Sequence, residues 1–353
     1  MKTAQIVCLV ALVATACGSG PGPIAKTSPA TSASPSALSS TPTPTGSPVS
    51  SPKSSPTVTG SATATLRCRL PISATAYPGE PPGGWITFPG GKFVRDPASQ
   101  RDRSGYHLPS YDRAIGAWVP VEYENVSPDG ASYVLYRDAT TAVPNALYLV
   151  DARTGTRRLM PSAQANTKWE LVLDYASEGV YLAAPGWGMA PPAAGLWLLD
   201  PKSGAIRLIN DSHIWSKVSG GIAWSIESVT NNGAAYYKVY RLDLRTGQTA
   251  SWYETKTAIR PLSPTPEGGL MTIYGQVGSY HIAVITAPKT YVSLKVPADF
   301  KLGDAHMTRP GVWLGLTDGI ALYTKAEGIR VMAHSAGYVQ GGFGFYEAAG
   351  GCW

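Results

Sequence analysis

Charge is scarce in this chain. Asp, Glu, Lys and Arg make up 15% of its 353 residues, against 44% hydrophobic ones, so nothing supplies the Lys/Glu-laced surface of a helical bundle or coiled coil. Long apolar runs are also missing. The stretch Ile6 to Ala14 is too short to cross a hydrocarbon layer of about 30 Å as a mature helix, which argues against a polytopic membrane protein. No GxSxG, HExxH, CxxC, Walker or dinucleotide fingerprint occurs. The five histidines, His107, His213, His281, His306 and His334, form no pair at i+2 or i+4, so no local metal site is legible and no cofactor is expected. Acids are absent from residues 1–65, where Lys2, Lys26 and Lys53 carry half of the net +6. The other 288 residues hold 26 basic (29 less 3) and 23 acidic side chains, too even a balance for a nucleic-acid footprint.

What is present at the N-terminus is a targeting pattern. Lys2, the apolar run and the small residues Thr15 and Ala16 fit a secretory signal over 1–16. Ala14-Thr15-Ala16-Cys17 resembles the lipobox of bacterial lipoproteins, with Ala14 where Leu is usual. The resemblance implies that Cys17 is lipidated and anchors the protein on the outer side of the cell membrane; the alternative is an unmodified, freely secreted chain. Residues 18–65 contain 13 Ser, 9 Thr and 9 Pro among 48, too little apolar area to offset ordering entropy, so 17–65 reads as a lipidated cysteine followed by a disordered tether. Such a linker spans on the order of 40 Å relaxed and about 150 Å stretched. With Cys8 in the signal and Cys17 at the lipid site, Cys68 and Cys352 remain. In an exported protein these two are expected to form a disulfide that brings the ends of the 66–353 domain together.

Within 66–353 the glycines that open apolar β runs recur. Gly84, Gly130, Gly179, Gly221, Gly269 and Gly311 are separated by 46, 49, 42, 48 and 42 residues, the period of four-stranded propeller blades. A second register runs through Asp112–Gly116, Asp151–Gly155, Asp200–Gly204 and Asp243–Gly247. There Asp caps a turn through its carboxylate, and Gly four residues later supplies a left-handed residue. Thr286 and Thr324 mark degenerate copies. The fold class expected is all-β, a β-propeller. Counting strands after Gly337 and from Thr65 to Ile72 as an extra blade gives seven; six is the alternative, in which the terminal strands merely reinforce the last full blade. The remaining Trp85, Trp197, Trp224 and Trp313 sit in strand patterns and are expected between blades.

Val126-Ser-Pro-Asp-Gly-Ala-Ser-Tyr-Val134 with Leu147-Tyr-Leu-Val-Asp151 resembles the Ser-Pro-Asp-Gly blade repeat of Tol-type periplasmic propellers and of the propellers fused to prolyl oligopeptidases. Ala-Ser-Glu-Gly179 and Pro-Glu-Gly-Gly269 are eroded versions. The resemblance implies the fold and is silent about function.

Propeller ligands gather at the channel mouth, so the loops leading into the innermost strands supply the candidates. These are Glu122, Glu124 and Asn125; Trp169 and Glu170; His213 and Lys217; Arg260; and Asp304 with His306. Asp304 and His306 alternate along a strand and face one way, suited to a metal or proton relay; the plainer reading is a solvated carboxylate and a surface histidine. Trp187 and Met189, in Pro185–Pro192, form an apolar loop that either contacts a partner or folds back on its blade. The leading expectation is a monomeric, lipid-anchored binding or scaffold module for a protein, peptide or envelope glycan. The rival is an extracellular lyase or glycoside hydrolase using two acids from Glu122, Glu170 and Asp304.

Overall fold

The structure, a computed structural model, describes residues 66–74, 83–100, 108–137, 146–160, 171–184, 194–231, 234–275, 281–296, 302–317, 319–334 and 346–353. All belong to one unit, Ala62–Trp353. The signal, Cys17, the tether, His107, Trp169, Glu170 and the Trp187 loop lie outside the described residues.

Every described sheet is antiparallel. In chain order the strands begin with β1 (Arg69–Ala74), β2 (Gly83–Thr87) and β3 (Lys92–Arg95), then a short hairpin, β4 (Ser110–Asp112) and β5 (Ala117–Val119). Next come β6 (Ser132–Arg137), β7 (Ala146–Asp151) and β8 (Arg157–Leu159), preceded by a 3-10 turn, Tyr123–Asn125. Four four-stranded sheets follow. They are β9 (Leu171–Ala176), β10 (Gly179–Ala183), β11 (Leu196–Leu199) and β12 (Ile206–Asn210); then β13 (Trp215–Ser219), β14 (Ile222–Asn231), β15 (Ala234–Asp243) and β16 (Thr249–Thr255). The last two are β17 (Ile259–Pro264), β18 (Leu270–Tyr274), β19 (His281–Ala287) and β20 (Thr290–Leu294); then β21 (Leu302–Thr308), β22 (Gly311–Leu316), β23 (Gly319–Thr324) and β24 (Gly328–His334). The C-terminal β25 (Tyr346–Ala348) returns to pair with β1, giving the order β25-β1-β2-β3.

Six sheets therefore serve as blades, not seven. The miscount has a specific origin. Gly130, Gly179, Gly221, Gly269 and Gly311 stand at the head of the second strand of a blade, whereas Gly84 lies in β2, the third strand of its own. The true second strand there is β1, and β25 takes the innermost place. The terminal strands thus complete the Gly84 blade instead of building another. In the blade of β6–β8, Val126 bridges Tyr133 and the Tyr123–Asn125 turn occupies the inner position. The β4–β5 hairpin is wedged between the first two blades: Val119 and Val121 pack with Tyr133 and Leu135 on one side, and Trp118 packs with Trp85 on the other.

The core lies between blades. Val312, Trp313 and Leu314 are consecutive and fully buried, which requires cover on both faces of the sheet. Trp313 packs with Ile86 and Phe88 of the first blade, and Val312 and Leu314 with Met271 and Ile273 of the fifth. Trp85 and Trp224 are also buried, as expected; Trp197 is partly so. The aspartate turns form as read. Oδ1 of Asp151, Asp200 and Asp243 accepts backbone N–H groups two or three residues on, and Gly155, Gly204 and Gly247 have φ of 71°, 76° and 71°. The Asp112–Gly116 copy is the same turn in another place, joining β4 to β5.

The ring closes through the chain ends. β25 pairs Ile72 with Ala348 and Ser73 with Glu347, and Arg69 exchanges backbone hydrogen bonds with Trp353. The expected disulfide joins Cys68 to Cys352, with Cα atoms 5.5 Å apart and a sequence separation of 284.

Candidate functional site: the central channel and its closure seam

Neighbouring inner elements touch in the sequence Tyr123–Asn125 turn, β9, β13, β17, β21, β25, and so enclose the channel. A cavity of about 840 Å³ lies over it, at the end where these strands finish. Glu124, Asp174 and Lys217 supply charge to its wall, Arg309 and Asp129 stand with the outgoing turns, and Trp353 closes one side. The Ser-Pro-Asp-Gly turn belongs to this wall. Ser127 Oγ donates to Asp129 Oδ1 at 2.7 Å, Asp129 in turn accepts the Ala131 N–H, and Gly130 has φ 67° at a position where a Cβ would also run into Asp112 and Ala114. The cavity therefore opens where the inner strands end, opposite to the leading loops from which the candidates were drawn.

β21 divides its side chains by strand alternation. Ala305 and Met307 line the cavity, while Asp304 and His306 turn toward β25 and the Tyr123–Asn125 turn. His306 is 6% exposed, so it is not a surface histidine. Its Nδ1 lies 2.8 Å from Glu124 Oε1, and its Nε2 faces Glu347 Oε2 at 3.7 Å and Asp304 Oδ2 at 3.9 Å. Those last separations are too long for direct hydrogen bonds, and Nε2 is buried without a partner, as is Glu124 Oε2. Asp304, His306 and Glu347 bring three ligand-type atoms within 4.8 Å of one another. Three blades meet here, the second, the sixth and the first, beside the seam where the chain ends join.

The electrostatics follow from this crowding. Burial alone would raise the pKa of Glu124, but the charge and hydrogen bond of His306, with Lys217 nearby, bring it down to about 2. Burial would lower His306, yet Glu124, Glu347 and Asp304 together hold it well above an ordinary imidazole. Glu347 moves up, because its burial outweighs the attraction of His306. Asp174, desolvated and beside the charges of Glu124 and Glu178, is pushed up to about 7.

Of the residues expected at the channel mouth, the fold brings Glu124, Asp304 and His306 together and puts Lys217 on the cavity wall. Glu122 is partly buried near Glu347 and raises its pKa. Asn125 is buried and donates to the Val134 carbonyl, a structural role. His213 is held within its own blade: Nδ1 lies 3.0 Å from Glu227 Oε1, and the ring stacks on Tyr240 at 3.8 Å. Arg260 is exposed on β17. Glu347 and Asp174 were not anticipated. Glu347 lies on a strand that acquires an inner position only by ring closure, and Asp174 interrupts an otherwise apolar strand, Leu-Val-Leu-Asp-Tyr, a signal open to notice.

These features define a six-bladed β-propeller with a polar channel and an acidic cluster centred on a buried histidine. No family model matches the sequence, and no curated protein matches it. Among solved structures it is similar to TolB from Acinetobacter baumannii, at 16% identity over 57% of this chain and 52% of that one, TM-score 0.37. It is also similar to an oligogalacturonate lyase in complex with manganese, at 12% identity over 63% and 71%, TM-score 0.44. A third is an acylaminoacyl peptidase from Pyrococcus horikoshii, at 12% over 72% and 41%, TM-score 0.42. The chain thus spans about half of the TolB chain, and likenesses at these levels assign no activity.

Proposed function

We propose that the protein is an exported, lipid-anchored binding module whose propeller takes a polar chain segment, peptide or envelope glycan, into the channel cavity. The signal pattern over 1–16, the lipobox-like Ala14–Cys17 and the Ser/Thr/Pro tether support the export and anchoring at Cys17. The observation that carries the binding reading is the cavity itself. About 840 Å³ is within the ordinary range for a ligand site, and its wall offers charge of both signs, Lys217 and Arg309 against Asp174 and Glu124, beside the aromatic Trp353. Of these two acids on the wall, Glu124 is engaged by the buried His306, which favours binding over glycoside hydrolysis.

Filling the cavity tests this. Thr308→Trp places an indole at its wall. Binding of fractionated envelope peptides and glycans to the full chain is expected to fall tenfold or more in that variant, with an unchanged circular-dichroism spectrum. Undiminished binding overturns the proposal. Cleavage of the same material by the wild type would replace it with the enzymatic reading.

A further inference from the structure

We propose that Asp304, His306 and Glu347 form a site for a divalent cation of the manganese and zinc type, built into the seam between the first and last blades. Its starting point is the orientation of His306. Glu124 accepts a hydrogen bond from Nδ1 at 2.8 Å and so fixes which nitrogen carries the proton. Nε2 is then aimed between two carboxylate oxygens at 3.7 and 3.9 Å, in a buried position with no hydrogen-bond partner. Two carboxylates facing Nε2 call for a positive charge between them, supplied by a proton on Nε2 in the metal-free chain or by an ion that displaces it. A metal ion there would turn all three contacts attractive, and a carboxylate behind a ligating imidazole is the usual outer support of such a site.

The dimensions agree. Ligand atoms about 2.1 Å from one ion in a tetrahedral arrangement lie about 3.4 Å apart. The two contacts to Nε2 therefore need to close by only a few tenths of an ångström, and the two carboxylate oxygens, within 4.8 Å of each other, by about 1.4 Å at most. Oδ1 of Asp304 already accepts the Ala305 N–H at 2.7 Å, which leaves Oδ2 for the ion. Glu347 is placed by the pairing of β25 with β1. One imidazole and two carboxylates suit borderline divalent ions better than copper(I), which prefers sulfur, or calcium, which takes six to eight oxygens. Glu124 is a positioning residue in this arrangement, not a ligand. Asp304, His306 and Glu347 do not line the cavity, and Glu124 is the residue that the two features share.

The test uses the full chain, stripped with a chelator and titrated calorimetrically with Mn²⁺ and, separately, Zn²⁺. One equivalent is expected to bind with micromolar or tighter affinity. Asp304→Asn and Glu347→Gln should each weaken binding at least tenfold. Glu124→Gln should weaken it by about 10- to 100-fold while leaving the stoichiometry at one. Electron paramagnetic resonance of bound Mn²⁺ should change in the Glu347→Gln protein. Failure of the wild-type chain to bind either ion at millimolar concentration overturns the proposal, because His306 is then an imidazolium shared among carboxylates. Equal binding by wild type and both ligand variants overturns it as well, since the ion must then sit elsewhere.

Discussion

His306 Nδ1 lies 2.8 Å from Glu124 Oε1, although 182 residues separate them. One residue belongs to the innermost strand of the last blade, the other to the 3-10 turn at the centre of the second, and the strand between them, β25, is only three residues long. That shortness lets Glu124 reach across the first blade. The pair ties together elements on either side of the place where the ring closes, close to the terminal strand pairing and the disulfide. Closure thus rests on covalent, hydrogen-bonded and ionic links, as a ring of otherwise open sheet edges requires.

Opening the disulfide should loosen the seam without dissolving the blades. For a loop of this length, with Cys68 and Cys352 separated by 284 positions, the chain-entropy model gives about 5–6 kcal/mol as an upper value. Cys352→Ser is expected to lower the Tm by about 5–10 °C in a domain of this size. Dithiothreitol should lower the wild type to the same point and leave the variant unchanged, as measured by differential scanning calorimetry.

Gly315 leaves no room for a side chain: a Cβ would overlap the Tyr346 carbonyl oxygen of β25. Gly315→Ala should therefore push β25 outward at a cost of about 1–3 kcal/mol. Hydrogen exchange at residues 346–348 should speed up more than in the other inner strands. Gly328→Ala is the contrast. That position has φ 70° and open space around it, so the change strains only the turn between β23 and β24 and should leave exchange in β25 as it was.

Asp96 joins two tryptophans. Its Oδ2 accepts the indole N–H of Trp85 and that of Trp118, each at 2.9 Å, and so fastens the β4–β5 hairpin to the first blade. Both rings are largely buried. Asp96→Ala leaves both N–H groups without a partner and is expected to cost about 2–4 kcal/mol. Tryptophan fluorescence should shift to the red and the Tm should drop together; a Tm equal to wild type would contradict the role assigned to this residue.

Asp174 should make the protein less stable as pH rises through neutrality. Its pKa in the fold is about 7, raised from the ordinary aspartate value by burial and by Glu124 and Glu178. Below the unfolded value both states hold the proton and stability is unaffected. Between that value and about 7 the unfolded chain ionises first, so each step up in pH favours unfolding; above about 7 the loss is complete. Asp174→Asn removes the effect. The variant should match wild type near pH 4 and melt several degrees higher at pH 8, read from parallel thermal scans.

Much of this architecture was legible because it is local. The Asp–x–x–x–Gly turns depend on a carboxylate two or three residues from the N–H groups that it accepts and on one glycine at positive φ, both visible along the chain. The glycine period marks second strands in five blades for the same reason. The count went astray at Gly84, which has the local grammar of a blade opening but stands in the third strand, since the second arrives from β1. Nothing local separates the two cases. Asp304 and His306 were singled out as a pair facing one way, and they do; the burial of His306 and the third acid, Glu347, were beyond reach of spacing.

The amino-acid order alone settled the all-β class, the blade grammar and the pairing of Cys68 with Cys352, because near-neighbour hydrogen bonding, side-chain alternation and the supply of cysteines are written into it. Folding was needed to make six blades from the six glycines, to turn the cavity toward the strand ends and to gather Glu124, Asp304, His306 and Glu347 at one point. Those outcomes depend on which strands become neighbours when the two ends meet, and closure is a property of the whole ring.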